Sequence, residues 1–466
     1  MTNAAGIGVT GVSRRRALGA LMAGCAFAAG AVPLAACGIS GAPDTKGSAS
    51  LPPGKLVIWG ATSDGGHWDG DLAAPFRREF QEKHPGITIE PLRIVAAGSG
   101  FASPEEKFLA AAVGGEPPDL YCTGRAGTMS AWGLDGITKA LDDRMKGSRV
   151  VRADKFLPNA IEEGSWKGKT YALYQSADTR VFYWNKEIYA SSGLDPEKPP
   201  DTWDDFATAI GRTVGRDGTT ITQLGFHPTV GTTGGHFWQA WFWALGGKYL
   251  SDDGSKVAFN SEAGIKSLEW LQRLATIQGG MSAITPFSAS VGAPTGQGTF
   301  FLINKSAHYI ETSAARILLN TQYKDVRFGV GNVPKSANGK RASIRGGFSL
   351  VLPSGSKQQD AAWRFMEYHF MPETLARWND VYDRVPTTKE ASASPLYAKN
   401  DAFRKLQAEV MTYSERIPTT HPGAFDIQPL SQEIQASVMT GGASPRDALE
   451  KGARQIQEIL DRWKAR

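Results

Sequence analysis

Beyond residue 54, short β-branched runs alternate with stretches whose apolar residues recur every three or four positions. Lys55-Leu56-Val57-Ile58-Trp59, closed by Gly60 and followed by Gly65-Gly66, predicts a buried strand with a loop at its C-terminal end. Residues 72–83 put Leu72, Phe76 and Phe80 on one helical face, and Pro85-Gly86 stops that helix. A strand at 87–90, a helix at 104–113 and a strand at 119–122 continue the alternation. The expected fold class is therefore α/β with a largely parallel sheet.

The pattern returns further on. Residues 169–185 are rich in Tyr, Val, Phe and Trp, and Trp166-Lys167-Gly168-Lys169-Thr170-Tyr171 before them predicts a turn between two strands. Thr202-Trp203-Asp204-Asp205 opens a helix over 202–214 with a capping box, in which the Thr hydroxyl and the Asp carboxylate each accept the other's backbone N–H. Residues 261–277 place Ile265, Leu268, Leu271 and Leu274 on one face, 348–352 form an apolar strand, and beyond Gln358 only helix and loop are expected. Ser444-Pro445-Arg446-Asp447 starts the last helix with a cap, a first-turn proline and an acidic residue.

The N-terminus follows a different logic. Arg14 to Arg16 precede an uncharged Gly- and Ala-rich run over 17–36, which ends in Leu34-Ala35-Ala36-Cys37. A positive segment, an apolar segment and small residues before a cut describe a secretory leader over 1–36. Leu-Ala-Ala-Cys resembles the bacterial lipobox, which implies lipid on Cys37 and anchorage at the extracytoplasmic face of the cell membrane. Ser13-Arg14-Arg15 with Leu18 also resembles the twin-arginine signal, with Ala17 where an aromatic is preferred, so two export routes stay open. Residues 37–53 read as a flexible tether. Removing Arg14, Arg15 and Arg16 takes the formal charge from +5 to +2. A near-neutral body gives no reason to expect a nucleic-acid partner. Cys25 leaves with the leader and Cys37 takes lipid, so Cys122 has no disulfide partner and the fold must rest on its core.

Several chemical signatures fail on context. Gly6-Ile7-Gly8-Val9-Thr10-Gly11 fits a dinucleotide fingerprint but has no strand before it. Gly168-Lys169-Thr170 lacks the upstream glycine of a phosphate loop in register. No GxSxG or HExxH occurs, and the seven histidines show no metal-ligand spacing. Neither metal nor cofactor is expected. Glu162-Glu163 and Asp204-Asp205 are adjacent acids of the kind found on solvated faces.

Taken in order, these segments resemble the carbohydrate-type solute-binding proteins of ABC importers, a family that includes maltose- and glycerophosphate-binding proteins. The resemblance rests on the opening strand at 55–59, Gly115-Glu116-Pro117-Pro118-Asp119-Leu120, Gly168-Lys169-Thr170-Tyr171-Ala172-Leu173 leading to Tyr183-Trp184-Asn185-Lys186, and Pro199-Pro200-Asp201-Thr202-Trp203-Asp204. Phe301-Leu302-Ile303-Asn304-Lys305-Ser306-Ala307, Gly346-Gly347 and Arg384-Val385-Pro386 complete it. Tyr174 stands where proline is usual and Asn304 where glycine is usual.

The resemblance implies a two-lobe periplasmic-binding-protein-like fold of type II, with discontinuous lobes joined by hinge strands that close on ligand. Carried onto this chain, one lobe takes residues 54–172 and 311–353, and the other takes 173–310 and 354–466. Hinges are expected near 171–176 and 307–312. The implied function is capture of an extracellular carbohydrate or polyol for an ABC permease, by a non-enzymatic, monomeric lipoprotein. A secreted carbohydrate-active enzyme, which needs a convergent acid and base, and a sensory binding lipoprotein are the competing readings.

A sugar offers an apolar C–H face to an aromatic ring and a fringe of hydroxyls to polar groups. The densest aromatic run is Gly234-Gly235-His236-Phe237-Trp238-Gln239-Ala240-Trp241-Phe242-Trp243, from which His236 and Trp238, at the helix start, are expected to meet ligand. Asp64, His67 and Trp68 follow the first strand and Arg125 follows the third. Asp178 is expected to accept hydroxyl hydrogen bonds from the opposite side of the cleft. Glu311 lies past the second hinge, Gly346 and Gly347 permit close backbone approach, and Arg384 can reach a hydroxyl or an anion.

Overall fold

The computed structural model describes residues 52–60, 68–94, 101, 103–124, 126–229, 238–291, 299–397, 401–416 and 421–464. The leader, Cys37, most of the tether, Asp64, His67, Arg125 and His236 lie outside the described residues.

Nine strands form the main sheet among the described residues: β1 (Gly54–Gly60), β2 (Ile87–Arg93), β3 (Leu120–Thr123), β4 (Leu173–Asn185), β5 (His308–Thr312), β6 (Phe328–Gly331), β7 (Ser343–Val351), β8 (Val385–Pro386) and β9 (Ser414–Glu415). Hydrogen bonding follows the order β6-β4-β7-β3-β1-β2, with β5 and β8 on β4 and β9 on β7. The β1 pairings with β2 and β3 are parallel, as strand-helix alternation requires, and so is the short β7–β9 pairing. The other five are antiparallel, so the sheet is mixed rather than largely parallel. The reason is β4, thirteen buried residues that leave the first strand-helix region in one direction while β7 returns in the other.

The hydrophobic interior divides along these two strands. One core gathers Leu56, Ile58, Phe80, Phe108, Tyr121 and Leu173, together with Leu350, Phe365 and Trp378. A second gathers Phe182, Phe206, Trp238, Trp241, Leu268, Leu271, Ile344 and Ile456. A smaller third cluster holds Val181, Tyr183, Phe301, Tyr309 and Val410 beside the second. β4 thus belongs to the first core as far as Ala177 and to the others from Val181, while β7 passes from Ile344 in the second core to Phe348 in the first. The two strands cross between lobes where Gly346 pairs with Asp178, a few residues past the expected 171–176 hinge.

Core membership also differs from the expected lobe division. Helices Gln359–His369 and Pro372–Val381 pack Phe365, Met366, Leu375 and Trp378 into the first core, although residues 354–466 were assigned to the second lobe. Val333, Ala342 and Ile344 belong to the second core, although 311–353 were assigned to the first lobe. Amphipathic periodicity says that a helix buries a face, not which core receives it.

Local chemistry explains the elements that frame the crossing. Helix Trp203–Thr213 starts with the expected capping box, both reciprocal bonds being 3.1 Å. Ser165–Trp166 pairs with Lys169–Thr170 through Lys167 and Gly168, both in left-handed conformations at φ 48° and 77°, the geometry that a tight two-residue hairpin needs. That hairpin follows Glu163, which faces the strand crossing.

Candidate functional site

Strand interiors bury side chains on both faces, so a charged residue within one must find a partner there. β4 carries Asp178 and Arg180 two residues apart, and a two-residue step keeps both on the same face. Arg180 Nη1 donates to Asp178 Oδ1 at 2.6 Å and to the Ile344 carbonyl at 3.4 Å. Arg384, fully buried ahead of β8, brings Nη1 to 3.5 Å from Asp178 Oδ2 and places its guanidinium 3.9 Å from the centre of the Phe348 ring. Such cation–π contact strengthens as water is excluded.

Gly346 makes this packing possible. A Cβ there would lie 2.6 Å from Arg180 Nη1 and 2.7 Å from Asp178 Oδ1, inside any tolerable contact. Gly347 is equally constrained: it adopts φ 150°, and a Cβ would lie 2.1 Å from the Ser176 carbonyl and 2.7 Å from the Tyr174 hydroxyl. Both glycines therefore serve close approach of the protein to itself at the crossing.

A second ionic set is built on Glu163. Its Oε1 lies 3.2 Å from Arg345 Nε, and its Oε2 contacts Arg416 Nη1. Arg416 also donates to the Tyr174 hydroxyl at 3.0 Å. Burial, then the negative charge of Asp178, pushes the Tyr174 phenol far above its ordinary range, so it stays a neutral hydroxyl. Burial pulls the Arg416 guanidinium down to about 9, still protonated at neutral pH. Four guanidiniums thus share two carboxylates, and all six side chains are mostly or fully buried.

Next to Arg384, Asp383 closes a third set. It accepts a two-pronged contact from Arg316 at 2.9 and 2.7 Å and lies 3.1 Å from Arg404, while its carbonyl accepts from Ser313 Oγ at 2.8 Å. Asp383 is one of three described residues other than glycine with left-handed backbone, at φ 49°. The segment after β5, the segment before β8 and the helix Ala402–Thr412 are tied together at this one residue.

Of the residues expected to meet ligand, Asp178, Gly346, Gly347 and Arg384 converge at the crossing. Glu311 lies opposite Val181 of β4, where it accepts from the Tyr309 hydroxyl at 2.7 Å and the Thr312 N–H at 2.6 Å. The two tryptophans do not join them. Trp68 stacks on Trp378 with ring centres 4.0 Å apart, against Phe365 and His369 in the first core. Trp238 has no solvent exposure and packs against Phe242, Tyr249 and Phe259 in the second core, its indole N–H donating to the Ser431 carbonyl. Their positions after loops suggested cleft-facing rings, but both indoles complete apolar interiors. The acceptor role expected for Asp178 is also altered, because both its oxygens face guanidiniums.

Sequence reasoning missed Arg180, Glu163, Arg345 and Arg416. Arg180 could have been found, since an Asp and an Arg two apart on one face of a strand that runs on into Val181-Phe182-Tyr183-Trp184 predict a buried pair. Arg345 adjoins the paired glycines and carries a weaker signal. Glu163 and Arg416 carry none, for only the fold brings them together.

The model of the bacterial extracellular solute-binding protein family matches residues 66–374. Among curated proteins, the sn-glycerol-3-phosphate-binding periplasmic protein of Escherichia coli is 22% identical over 365 residues, 75% of this chain and 81% of that protein. A solute-binding protein of an ABC transporter from Thermotoga lettingae, solved with α-D-tagatose, superposes with a TM-score of 0.72 at 23% identity, covering 87% of this chain and 99% of the other. The mannobiose-bound structure of CpMnBP1 gives a TM-score of 0.70 at 24% identity over the same shares. These likenesses support the two-lobe α/β fold.

Proposed function

The chain belongs to the bacterial extracellular solute-binding proteins, the binding components of ABC transporters, and from that premise we propose that it captures a carbohydrate or polyol between its lobes and delivers it to a membrane permease. The observation that carries this reading is the pair of antiparallel strands β4 and β7, which alone among the main-sheet strands pass from one hydrophobic core to the other and hold a buried ionic cluster where they cross. Two bodies joined by narrow crossings can bend about them, and solute held between the bodies stabilises the closed state. The names of its relatives point the same way: one binds sn-glycerol 3-phosphate, and others were solved with tagatose and mannobiose.

In this reading residues 54–177 and 348–397 form most of one lobe, and the rest of the body forms the other, following core membership. The cluster of Asp178, Gly346, Gly347 and Arg384 belongs to the binding region, together with Asp64, His67, Arg125 and His236. Cys37 holds the protein to the extracytoplasmic face of the membrane as a monomer. Isothermal titration of the mature chain against a panel of mono- and disaccharides and polyols tests the reading. One solute should bind at one equivalent and be recovered unchanged. Conversion of the bound solute would replace it with an enzymatic function.

A further inference from the structure

The cluster at the strand crossing is one-sided in its chemistry. Each oxygen of its two carboxylates faces a guanidinium: Asp178 Oδ1 faces Arg180, Oδ2 faces Arg384, and Glu163 Oε1 and Oε2 face Arg345 and Arg416. Sugar hydroxyls are both donors and acceptors, and a neutral sugar needs unshared acceptors as well as donors around it. Here both carboxylates are already engaged. What the cluster has to spare is a donor. Arg180 spends Nη1 on Asp178 and the Ile344 carbonyl, while its Nε is buried with no hydrogen-bond partner, in a side chain about nine-tenths buried. Arg345 Nε, at 3.2 Å from Glu163, likewise lacks the alignment of a hydrogen bond. Arg384 and Arg416 engage further neighbours and Arg345 Nε still faces the Glu163 carboxylate, so Arg180 is the donor at issue.

A cation held in a low-dielectric interior with a donor unmet is costly, and sites of this kind are relieved by an anion that brings both charge and lone pairs. Arg180 also has the right placement. It lies between Ala177, the last β4 residue of the first core, and Val181, the first of the third cluster, and it borders a small cavity with Trp241, Ile310, Val333 and Ile344. Resting on the reading above that the cleft takes a sugar or polyol, we propose that this solute carries an oxyanion, a carboxylate or a phosphate, which Arg180 receives while Asp178 and Gly346 hold its guanidinium in position. Asp178 then acts as a positioning residue, and the solute specificity of the chain is for acidic over neutral members of a sugar class.

Matched pairs of probes decide this on the natural mature chain: D-glucuronate with D-glucose, D-galacturonate with D-galactose, and sn-glycerol 3-phosphate with glycerol, each titrated calorimetrically at low and at 0.5 M salt. One acidic member should bind about ten- to hundredfold more tightly than its neutral twin, the range set by a charge-assisted hydrogen bond. Whether a uronate or the phosphate is bound separates the two oxyanion sources. Arg180→Lys keeps the charge but loses Nε, and should narrow the acid preference by about tenfold. If that variant does not fold, the paired titrations on the natural chain decide alone. A neutral sugar that binds as tightly as its acidic twin, or more tightly, overturns the oxyanion assignment and leaves the carbohydrate reading standing. Silence from every acidic and neutral probe counts against both.

Discussion

Replacing Trp238 by alanine should cost stability and leave solute affinity intact. The indole is wholly buried, with ring centres 5.6 Å from Phe242, 6.3 Å from Tyr249 and 5.7 Å from Phe259. A buried Trp removes about 150–250 Å² from water, which at about 25 cal/mol per Å² is worth roughly 4–6 kcal/mol. The indole bond to the Ser431 carbonyl, 3.3 Å long, adds about 1 kcal/mol. The methyl group that alanine keeps and partial collapse of the void offset some of this, so about 4 kcal/mol is expected, within the range for aromatic truncation in cores. For a cooperative unit of about 150–250 residues, each kcal/mol moves the melting temperature by about 2–4 °C, giving a drop of roughly 10 °C. Trp238→Phe keeps a ring in the space and should lose only about 1–2 kcal/mol, mostly from the unsatisfied carbonyl. The assay is a ligand-free thermal melt by circular dichroism, with calorimetric titration of each variant well below its melting range. An alanine variant that melts within a degree or two of the parent yet binds about thirtyfold more weakly would refute the core assignment and return Trp238 to the cleft.

Three further outcomes are expected. Burial lowers His369 and His308 to about 3 and His227 to about 4; the unfolded chain protonates each near 6.5, so stability falls as pH drops below that value, by about 1.4 kcal/mol per pH unit for each histidine until its folded value is reached. His369→Phe, which suits the Trp68, Phe370 and Trp378 rings around that side chain, should flatten the melting temperature against pH between 6 and 4; an unchanged slope would show that His369 is protonated in the folded state. Asp383→Asn keeps a residue type tolerant of the left-handed backbone but removes the charge shared by Arg316 and Arg404, and should destabilise by about 3 kcal/mol in urea unfolding, as breaking a buried ion pair does; a loss below about 1 kcal/mol would mark the network as screened. Cys37→Ala should abolish metabolic labelling with palmitate in the producing cells, and undiminished labelling would overturn the anchor.

What could be read from the chain depended on whether the governing interaction was local. The capping box at Thr202 and Asp205 and the hairpin at 165–170 were legible because each is closed by residues within a few positions. The alternation over 54–123 likewise announced three parallel strands. The direction of β4 and β7 was not legible, since a buried strand of thirteen residues looks the same whether it stays in one lobe or crosses to another. Destination was the general difficulty. Trp68 and Trp238 have the residue type and loop-adjacent position of ligand platforms, and only tertiary packing sends them into separate cores. The site shows the same division. Asp178, Gly346, Gly347 and Arg384 were singled out one at a time, but the chemistry comes from their company: Arg180 two residues along the strand, and Arg345, Arg416 and Glu163 delivered by other segments. Read alone, Asp178 is a hydroxyl acceptor in a sugar site. Beside two guanidiniums its carboxylate becomes the group that orients them, and on the oxyanion proposal the preference of the cleft passes from hydroxyl donors on the solute to lone pairs.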